Sequence, residues 1–357
     1  MMDRRPGSER ARLDHFVAVP DDAISPRDQR DLMSQPFFSL AKGRRTAPIL
    51  YETGGIRVEV HGFPDYGMAT IWDADVLIWA ASQIVAAADR GLKTSRFFRF
   101  TPYQLLVAIG RGPGQSQYVR LKQALQRLQS TVVLTTIRHG ANWRRMQFSW
   151  INEWEELADM RGHCHGMELV LPEWFYRGVL DRSLVLTIDP AYFALTGGIE
   201  RWLYRIARRH AGHQPQGWAF ELRHLYTKSG SAARFSDFAL DLRRIIGRQP
   251  LPGYDLSIEL DDRRELLRVA PRQLSTGTVD SRVEPIRRSG ARSIRRSGAT
   301  LSAHRAHEPQ LSLWPATRSG PRNESNSKES NFSVVGARKA GTPADGAAKS
   351  PKLGRRR

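Results

Sequence analysis

Between residues 36 and 270 the apolar positions recur at the spacing of helices and strands, which predicts a folded region. The pattern after Asp73 predicts a long helix that ends before Gly91, since aspartate favours helix starts and glycine favours helix ends. Thr101 and Pro102 predict the start of a second helix, because threonine caps helices and proline suits their first turn. A glycine-rich turn then separates this helix from a third.

The third predicted helix, GQSQYVRLKQALQRLQS at residues 114–130, has two unlike faces. At 100° per residue, one face is apolar and the other carries Arg, Lys and Gln. The apolar face consists of Tyr118, Leu121, Ala124, Leu125 and Leu128. No Asp or Glu occurs in the stretch, although solvated helices usually mix both charge signs. The pattern predicts a helix that buries one side and offers the other to a polyanion, with an ordinary charged exterior as the alternative.

The order helix, strand, helix, turn, helix, hairpin occurs twice along the chain, about 120 residues apart. In the first copy the hairpin is predicted over residues 132–151, with its turn near residues 140–142. In the second copy it is predicted over residues 254–271. This order is that of the winged helix, a helix-turn-helix followed by a two-stranded wing. The predicted fold class is therefore α+β, with two tandem winged-helix domains.

Composition and pattern divide the chain into four predicted parts. Residues 1–35 are polar and charged, and they predict a mobile arm. Residues 36–181 and 182–270 are the two predicted winged-helix domains. Residues 271–357 are rich in Ser, Arg, Gly and Pro and lack apolar periodicity, which predicts a disordered basic tail. Nonspecific attraction to DNA and an unconstrained extension both agree with this tail composition.

The formal net charge of +19 and the pI of about 10.8 favour a polyanionic partner. Basic residues are concentrated around the third helix, because residues 90–152 contain eleven Lys or Arg and no Asp or Glu. A carboxylate there would repel phosphate, whereas Arg and Gln can form paired hydrogen bonds with guanine and adenine. The sequence therefore predicts double-stranded DNA as the partner.

The candidate base-contacting residues of the first domain are Arg120, Gln123 and Arg127. The other DNA-binding candidates are polar or basic residues on the same helix, in the predicted wing, or on the weaker basic face of the second domain. They are Arg111, Gln115, Gln117, Lys122, Arg138, Arg144 and Arg145 in the first domain, and Lys228, Ser231, Arg234, Ser236 and Arg244 in the second.

Other charged residues have simpler expected roles. Asp73 and Asp75 open a helix, where the helix dipole favours acids, so no catalytic role is assigned to them. Arg205, Arg208 and Arg209 follow a pattern that predicts a solvated or phosphate-facing side of their helix.

The patterns that would indicate catalysis are absent or incomplete. GRGPGQS at residues 110–116 lacks the Gly-Lys-Ser/Thr of a phosphate-binding loop, so an ATP-driven step would need a partner. The triplet HCH at residues 163–165 is flanked by glycines, which favours two solvated loop histidines over a nickase metal site with Tyr192 or Tyr204 as nucleophile. One cysteine and two histidines cannot fill a zinc site. No catalytic residue, metal or cofactor is predicted, and the chain is not expected to be an enzyme.

The sequence also bears on location. No run of about 18 apolar residues occurs, and MMDRRPGSERARLD lacks the apolar stretch of a secretory signal. Cys164 is the only cysteine, which excludes an intrachain disulfide and favours a reducing compartment. We expect a cytoplasmic protein that associates with DNA and not with a membrane.

Several segments between Gln35 and Arg268 resemble the replication initiator protein A family of bacterial plasmids. They are FFSL, YETGGIRVEV, GMATIWDADVLIWAASQI, FRFTPYQLLVAIGR, YVRLKQALQRLQSTVVLTT, INEWE and LTIDPAYFALTGGIERWLYRIARRHAG, in this order. The resemblance implies two winged-helix domains and binding to repeated sites at a plasmid origin. It also implies the host initiator ATPase and replicative helicase as partners, and a homodimer as one form of the protein.

The expected function is therefore that of a plasmid replication initiator, which binds repeated duplex sites, promotes origin opening and recruits the host helicase. Two alternatives stay open. A winged-helix transcriptional repressor, including an autorepressor, would use the same fold without opening an origin. A metal-dependent rolling-circle nickase would cut a supercoiled origin and stay attached to it through a tyrosine.

Overall fold

The computed structural model describes residues 15–19, 24–138, 146–160, 164–212, 214–261 and 264–272, all within one compact unit. The chain there is mixed α+β, as predicted. The helices are α1 (Arg30–Ser34), α2 (Ala74–Asp89), α3 (Pro102–Ala108), α4 (Gln115–Ser130), α5 (Glu173–Leu180), α6 (Gly198–His210), α7 (Leu222–Ser229) and α8 (Phe235–Arg248). Among these residues no helix has the length and apolar character to cross a membrane.

The strands form four small sheets. They are β1 (Phe16–Val17), β2 (Arg27–Gln29), β3 (Ile49–Thr53), β4 (Ile56–His61), β5 (Phe97–Phe100), β6 (Val132–Thr135), β7 (Met146–Ser149), β8 (Glu153–Ala158), β9 (Cys164–Val170), β10 (Val185–Thr187), β11 (Trp218–Glu221), β12 (Tyr254–Asp261) and β13 (Arg264–Pro271). The sheet orders are β1-β5-β9-β8, β3-β4-β6-β7, β10-β2 and β11-β13-β12.

The predicted helix boundaries follow from local chemistry. Thr101 and Gln104 form a capping box at the start of α3, and Pro102 occupies its first turn. Gly230 ends α7 in the left-handed conformation, with φ of 61°, which glycine adopts without a steric cost. These local signals explain why the sequence pattern placed both helices correctly.

Four elements occur twice in the same order. The set α2, β5, α3 and α4 recurs as α6, β11, α7 and α8, and α4 begins at residue 115 while α8 begins at residue 235, which is 120 residues later. In each copy, the strand before the helix pair is hydrogen-bonded to the second strand of a following hairpin. That hairpin is β8–β9 in the first copy and β12–β13 in the second.

The hairpin predicted over residues 132–151 forms, but it lies in a different sheet from β5. Strands β6 and β7 pair antiparallel, and β6 also pairs with β4 through Val133 opposite Val60. The β6–β7 hairpin is therefore inserted between α4 and β8, and the counterpart of β12–β13 is β8–β9. Alternation of apolar and polar residues predicts a strand but not its neighbour, so the sequence pattern assigned β6–β7, and not β8–β9, as the hairpin of the first copy.

The mobile arm predicted over residues 1–35 does not hold for residues 24–35. Strand β2 pairs with β10, and Leu32 and Met33 of α1 are buried. Asp28 of β2 is buried against Arg205, which lies 177 residues later in the chain. Local composition does not reveal such a distant partner, so the sequence did not show that Asp28 is buried. Of the predicted tail, only Pro271 and Arg272 belong to the described residues.

Residues 36–48, the connecting segment, contact both copies of the repeated set. Ser39 forms a parallel bridge with Thr70, just before α2. The carbonyl oxygen of Leu40 lies against Gly198 at the start of α6, so closely that an added Cβ would approach it to 1.9 Å. Arg45 donates from Nη1 to the carbonyl oxygen of Gly230 at 2.6 Å. The path of this segment is therefore fixed at three points.

Gly198→Ala is expected to destabilise the fold by about 1–3 kcal/mol, because the new methyl group meets the backbone carbonyl of Leu40 and the connecting segment must shift. The measurement is the free energy of unfolding in urea. Gly247→Ala in α8 is the control, since nothing lies within 4 Å of its added Cβ. That substitution should stabilise by roughly 0.5–1 kcal/mol through helix propensity. Equal effects of the two substitutions would contradict the close approach at Gly198.

Candidate nucleic-acid interface

Helix α4 buries the predicted apolar face. Leu121, Ala124, Leu125 and Leu128 are all at most 2% exposed, and Tyr118 packs against the core while partly exposed. The prediction for residues 114–130 is therefore confirmed in its buried half. The polar half is divided between exposed residues and residues that are half-buried.

The exposed side of α4 carries three of the predicted contact residues. Gln115, Arg120 and Gln123 are exposed, while Gln117 is half-buried. Arg120 has no ion-pair partner among the described residues, so its charge is uncompensated on the helix surface. Arg120 and Gln123 are three residues apart and lie on one face.

Arg127, the third base-contact candidate, is held inside the protein. Its Nε donates to Asp73 Oδ2 at 2.8 Å and its Nη2 donates to Asp73 Oδ1 at 2.7 Å. This bidentate pair occupies the Nε–Nη2 edge of the guanidinium. Asp73 occupies the N-cap position of α2, but its side chain makes no capping hydrogen bond there and accepts instead from the backbone N–H of Thr70. The base-contact role of Arg127 is therefore corrected.

Two other candidates near α4 are paired with acids. Arg111, in the turn before α4, donates from Nη2 to Asp75 Oδ2 at 3.0 Å and to the carbonyl oxygen of Trp72 at 3.2 Å. Lys122 pairs with Glu156 of β8 at 2.9 Å, with both side chains partly exposed. A surface pair of this kind contributes about 0–1 kcal/mol and leaves the lysine free to exchange Glu156 for phosphate. Arg111 has less freedom because it is half-buried.

Arg138 is a structural residue and not a wing contact. It has a positive φ of 64°, and its guanidinium lies 4.0 Å from the centroid of the Trp174 ring. Its nitrogens donate to Asp31 Oδ2, Gln29 Oε1 and the Trp174 carbonyl oxygen at 2.6–2.8 Å. These contacts tie the end of the β6 segment to α1 and α5. Arg144 and Arg145 lie outside the described residues.

Helix α8 buries Phe238, Leu242 and Ile245 and exposes a mixed polar face. Ser236 is exposed, and Arg244 pairs with Asp241 of the same helix at 3.1 Å. The remaining cations of this face are also paired, since Arg243 contacts Glu265 and Arg248 contacts Glu200. The second face therefore carries less free positive charge than the face of α4.

The turn before α8 contains the last three candidates. Lys228 is 3% exposed, and burial lowers its pKa to about 8, so it cannot reach a phosphate as the sequence suggested. Ser231 organises the turn: its N–H donates to Ser229 Oγ and its Oγ accepts from the N–H of Ala233. Arg234 is exposed directly before α8. Of these three, Arg234 is the residue open to a ligand.

A buried ion cluster, which the sequence interpretation missed, lies behind α4. Asp75 is fully buried and accepts from Arg201 Nη1 at 2.7 Å and from Arg111 Nη2 at 3.0 Å. Arg201 of α6 also donates to the carbonyl oxygens of Leu195 and Phe193. Burial raises the pKa of Asp75 to about 6, and the two guanidinium groups oppose that rise. Asp75 therefore joins the turn before α4 to the second copy of the repeated set.

A second buried pair reinforces the same junction. Arg205, one turn after Arg201 on α6, donates from Nε to Asp28 Oδ2 at 2.7 Å and from Nη2 to Asp28 Oδ1 at 3.1 Å. The predicted solvated side of α6 is therefore wrong at Arg205, which is 2% exposed. The spacing of four residues between the two arginines was a visible signal, but their acids lie far away in the chain.

The tyrosines considered for a nickase are not presented to a substrate. Tyr192 is 0% exposed and Tyr204 is 1% exposed, and burial raises the pKa of both hydroxyls. Tyr204 accepts a hydrogen bond from the backbone N–H of Asp189 at 2.7 Å. Within the described ranges no group of three or more His, Cys, Asp or Glu residues forms a metal site. His163 lies outside those ranges, while Cys164 and His165 are exposed.

The profile of the family described as Replication initiator protein A matches residues 27–256. The chain belongs to this family. The resemblance noted from the sequence is thereby confirmed. This initiator is also 31% identical over 254 residues to a proposed replication protein of Wigglesworthia glossinidia brevipalpis, an alignment that covers 70% of this chain and 91% of the relative.

Two solved structures of domains 2 and 3 of RctB are similar to the initiator. A selenomethionine derivative of these domains has a TM-score of 0.51 and 14% identity, and the match covers 68% of the initiator and 98% of that chain. A second structure of the same domains has a TM-score of 0.46 and 13% identity, covering 68% and 97%. The similarity to the first of these structures shows a shared mixed α+β fold.

Arg201→Met is expected to cost about 3–5 kcal/mol of stability at pH 7, because it leaves the Asp75 carboxylate buried beside Arg111 alone. The pKa of Asp75 already exceeds the value of about 3.9 in unfolded chains. Ionisation of this carboxyl therefore lowers stability as pH rises from about 4 to about 6. The substitution raises the pKa further, so the loss should be smaller at pH 5 than at pH 7 in urea unfolding.

The double variant Asp75→Leu with Arg201→Met is the control. Replacing a buried ion pair by apolar side chains is often nearly neutral, so the double variant should recover most of the lost stability. An Arg201→Met loss that is equal at both pH values would mean that Asp75 is not the group that titrates.

Proposed function

We propose that this initiator binds repeated duplex sites at a plasmid origin through two tandem winged-helix domains that meet near residue 181. The first domain would use α3 and α4 with β8–β9 as its wing, and the second would use α7 and α8 with β12–β13. The repeated element order and the equivalent pairing of β5 with β9 and of β11 with β13 support this proposal. The basic composition of residues 271–357 would add nonspecific attraction to DNA.

One observation carries the proposal: the exposed face of α4 keeps Arg120 unpaired while neighbouring arginines are paired internally. Arg127 and Arg111 are bound to Asp73 and Asp75, so their charge is balanced inside the protein. Arg120 remains exposed on α4, as do the amides of Gln115 and Gln123 on the same helix. A guanidinium can bridge guanine O6 and N7, and an amide can bridge adenine N6 and N7.

The edges of α4 suit the phosphate backbone. The helix begins after Gly114 without a side-chain cap, so its first N–H groups and its dipole favour an anion. Lys122, at the border with β8, would exchange Glu156 for a phosphate. In the second domain, Arg234, Ser236 and Arg244 form a smaller contact set, because Asp237 and Asp241 reduce its positive charge.

Origin opening and recruitment of the host initiator ATPase and replicative helicase complete the proposed function. They rest on family membership, as does a homodimer as one form of the protein. The proposed role is that of a DNA-binding initiator in the cytoplasm and not that of an enzyme. A transcriptional repressor with the same fold would bind DNA but would not sustain replication.

Footprinting of the purified initiator on the DNA that flanks its own gene tests duplex binding. The proposal expects a regular ladder of protected repeats, whereas one isolated palindrome would favour a repressor. Replication of a resistance marker joined to that DNA, with the chain supplied in a new host, tests initiation. Cleavage of supercoiled DNA with a covalent protein link in magnesium or manganese would overturn the proposal in favour of a nickase.

Arg120→Ala is expected to weaken binding to the protected duplex by about 1–3 kcal/mol and to relax preference at one base pair. Binding to a random duplex should change much less, since a base contact carries the difference. Fluorescence anisotropy on both duplexes at fixed salt measures the two losses. Arg177→Ala on α5, where the side chain is exposed and paired with Glu173, is the control and should leave both affinities unchanged. Equal losses on both duplexes would exclude base recognition by Arg120.

A further inference from the structure

The connecting segment presents two cations that the proposed recognition helices do not account for. Lys42 and Arg44 are exposed on either side of Gly43. Neither side chain has an ion-pair partner in the part of the chain that the structure describes. Two uncompensated positive charges, separated only by Gly43, make the electrostatic potential of this loop positive.

Trp72 links this loop indirectly to the turn that precedes α4. Lys42 Nζ is 5.6 Å from the centroid of the Trp72 ring. The carbonyl oxygen of Trp72 accepts from Arg111 Nη2 at 3.2 Å, and Arg111 is in the α3–α4 turn. A chain of two contacts therefore connects Lys42 to the base of the first proposed recognition helix.

The same loop also touches the turn that precedes α8. Arg45 donates from Nη1 to the carbonyl oxygen of Gly230 at 2.6 Å, and Gly230 begins the α7–α8 turn. The backbone N–H of Met68 donates to the carbonyl oxygen of Arg45 at 2.9 Å. The backbone of the loop is thus fixed beside the α7–α8 turn, and Trp72 links the loop to the α3–α4 turn.

A neighbouring loop supports Arg44 from one side. Arg44 donates from Nη1 to the carbonyl oxygen of Asp65 at 3.2 Å, which uses one of its five donor hydrogens. The rings of Phe63 and Tyr66 in that loop stack on each other, with centroids 5.6 Å apart. Because each ring has one face covered by the other, the pair stabilises the loop and offers less surface for stacking of bases.

We propose that Lys42 and Arg44 bind the phosphate backbone of the duplex between the segment contacted by α4 and the segment contacted by α8. The inference rests on the proposed function, because it requires both helices to bind one duplex. Phosphate contacts are independent of sequence but fix the position of a protein along the duplex. Two cations on a loop that contacts the α7–α8 turn directly, and the α3–α4 turn through Trp72, would therefore set the distance between the two base-contacting segments.

The double variant Lys42→Gln with Arg44→Gln tests the inference on a duplex that the wild-type chain selects from a random pool. Each phosphate contact adds about 0.9 to the slope of log affinity against log salt concentration, so the slope should become shallower by about 1.8. Hydroxyl-radical protection should disappear between the two contacted segments and remain within them. The variant should unfold at the wild-type temperature, since both side chains are exposed.

The matched control is Arg177→Gln with Arg182→Gln, which also removes two exposed positive charges but lies on α5 and the turn after it. An equal change of slope in this control would mean general attraction of charge and would overturn the inference. An unchanged slope in the Lys42 and Arg44 variant would overturn it too. A loss confined to the single-stranded form of the same DNA would replace it by a single-strand site beside Phe63 and Tyr66.

Experiments on the wild-type chain distinguish a failure of the proposed function from a failure of the inference. If it selects and protects no duplex, the proposed function fails and the inference fails with it. If it protects a duplex and only the inference is wrong, protection between the two contacted segments persists in the Lys42 and Arg44 variant.

Discussion

The carboxylate of Asp75 is buried at the start of α2 and accepts from two arginines that are distant from each other in the sequence. Arg201 reaches it from α6, and Arg111 reaches it from the turn before α4. Burial of a carboxylate is costly unless it is paired and hydrogen-bonded, so this acid requires both copies of the repeated set to stay in one arrangement. The raised pKa of Asp75 shows that the attraction does not fully offset desolvation. The cluster therefore fixes geometry at a cost in stability.

Pairing with internal acids, of which Asp75 is one, divides basic residues of the first copy into two groups. Arg111, Arg127 and Arg138 are paired with internal acids and hold α4 and its surroundings in place. Arg120, with Gln115 and Gln123, is left on the surface of α4. The cations of the acid-free stretch therefore have two roles. Some pair with acids from other parts of the chain and hold the fold, and others remain available to an external anion. The paired group holds the backbone of α4 in place, so a ligand has to order only the exposed side chains.

Local sequence patterns correctly predicted those helix ends and buried faces that depend on neighbouring residues. The capping box at Thr101, the glycine end of α7 and the apolar face of α4 are each set by residues within one or two turns of helix. The predicted side-chain roles were wrong where an acid distant in the sequence pairs with the residue. Arg127 looked available because Asp73 lies 54 residues before it, and Arg205 looked solvated because Asp28 lies 177 residues before it. The sequence alone gave no sign that these residues meet.

The sequence by itself determined the α+β class, the repeated order of helices and strands, the amphipathic character of α4 and the family of the chain, because these depend on periodicity, capping and residue order. Only the tertiary structure decided that β8–β9, and not β6–β7, pairs with β5, since strand neighbours are chosen by long-range packing. It also decided which cations remain exposed. A guanidinium gains most where a carboxylate is already removed from water, and burial of that carboxylate exists only in the fold.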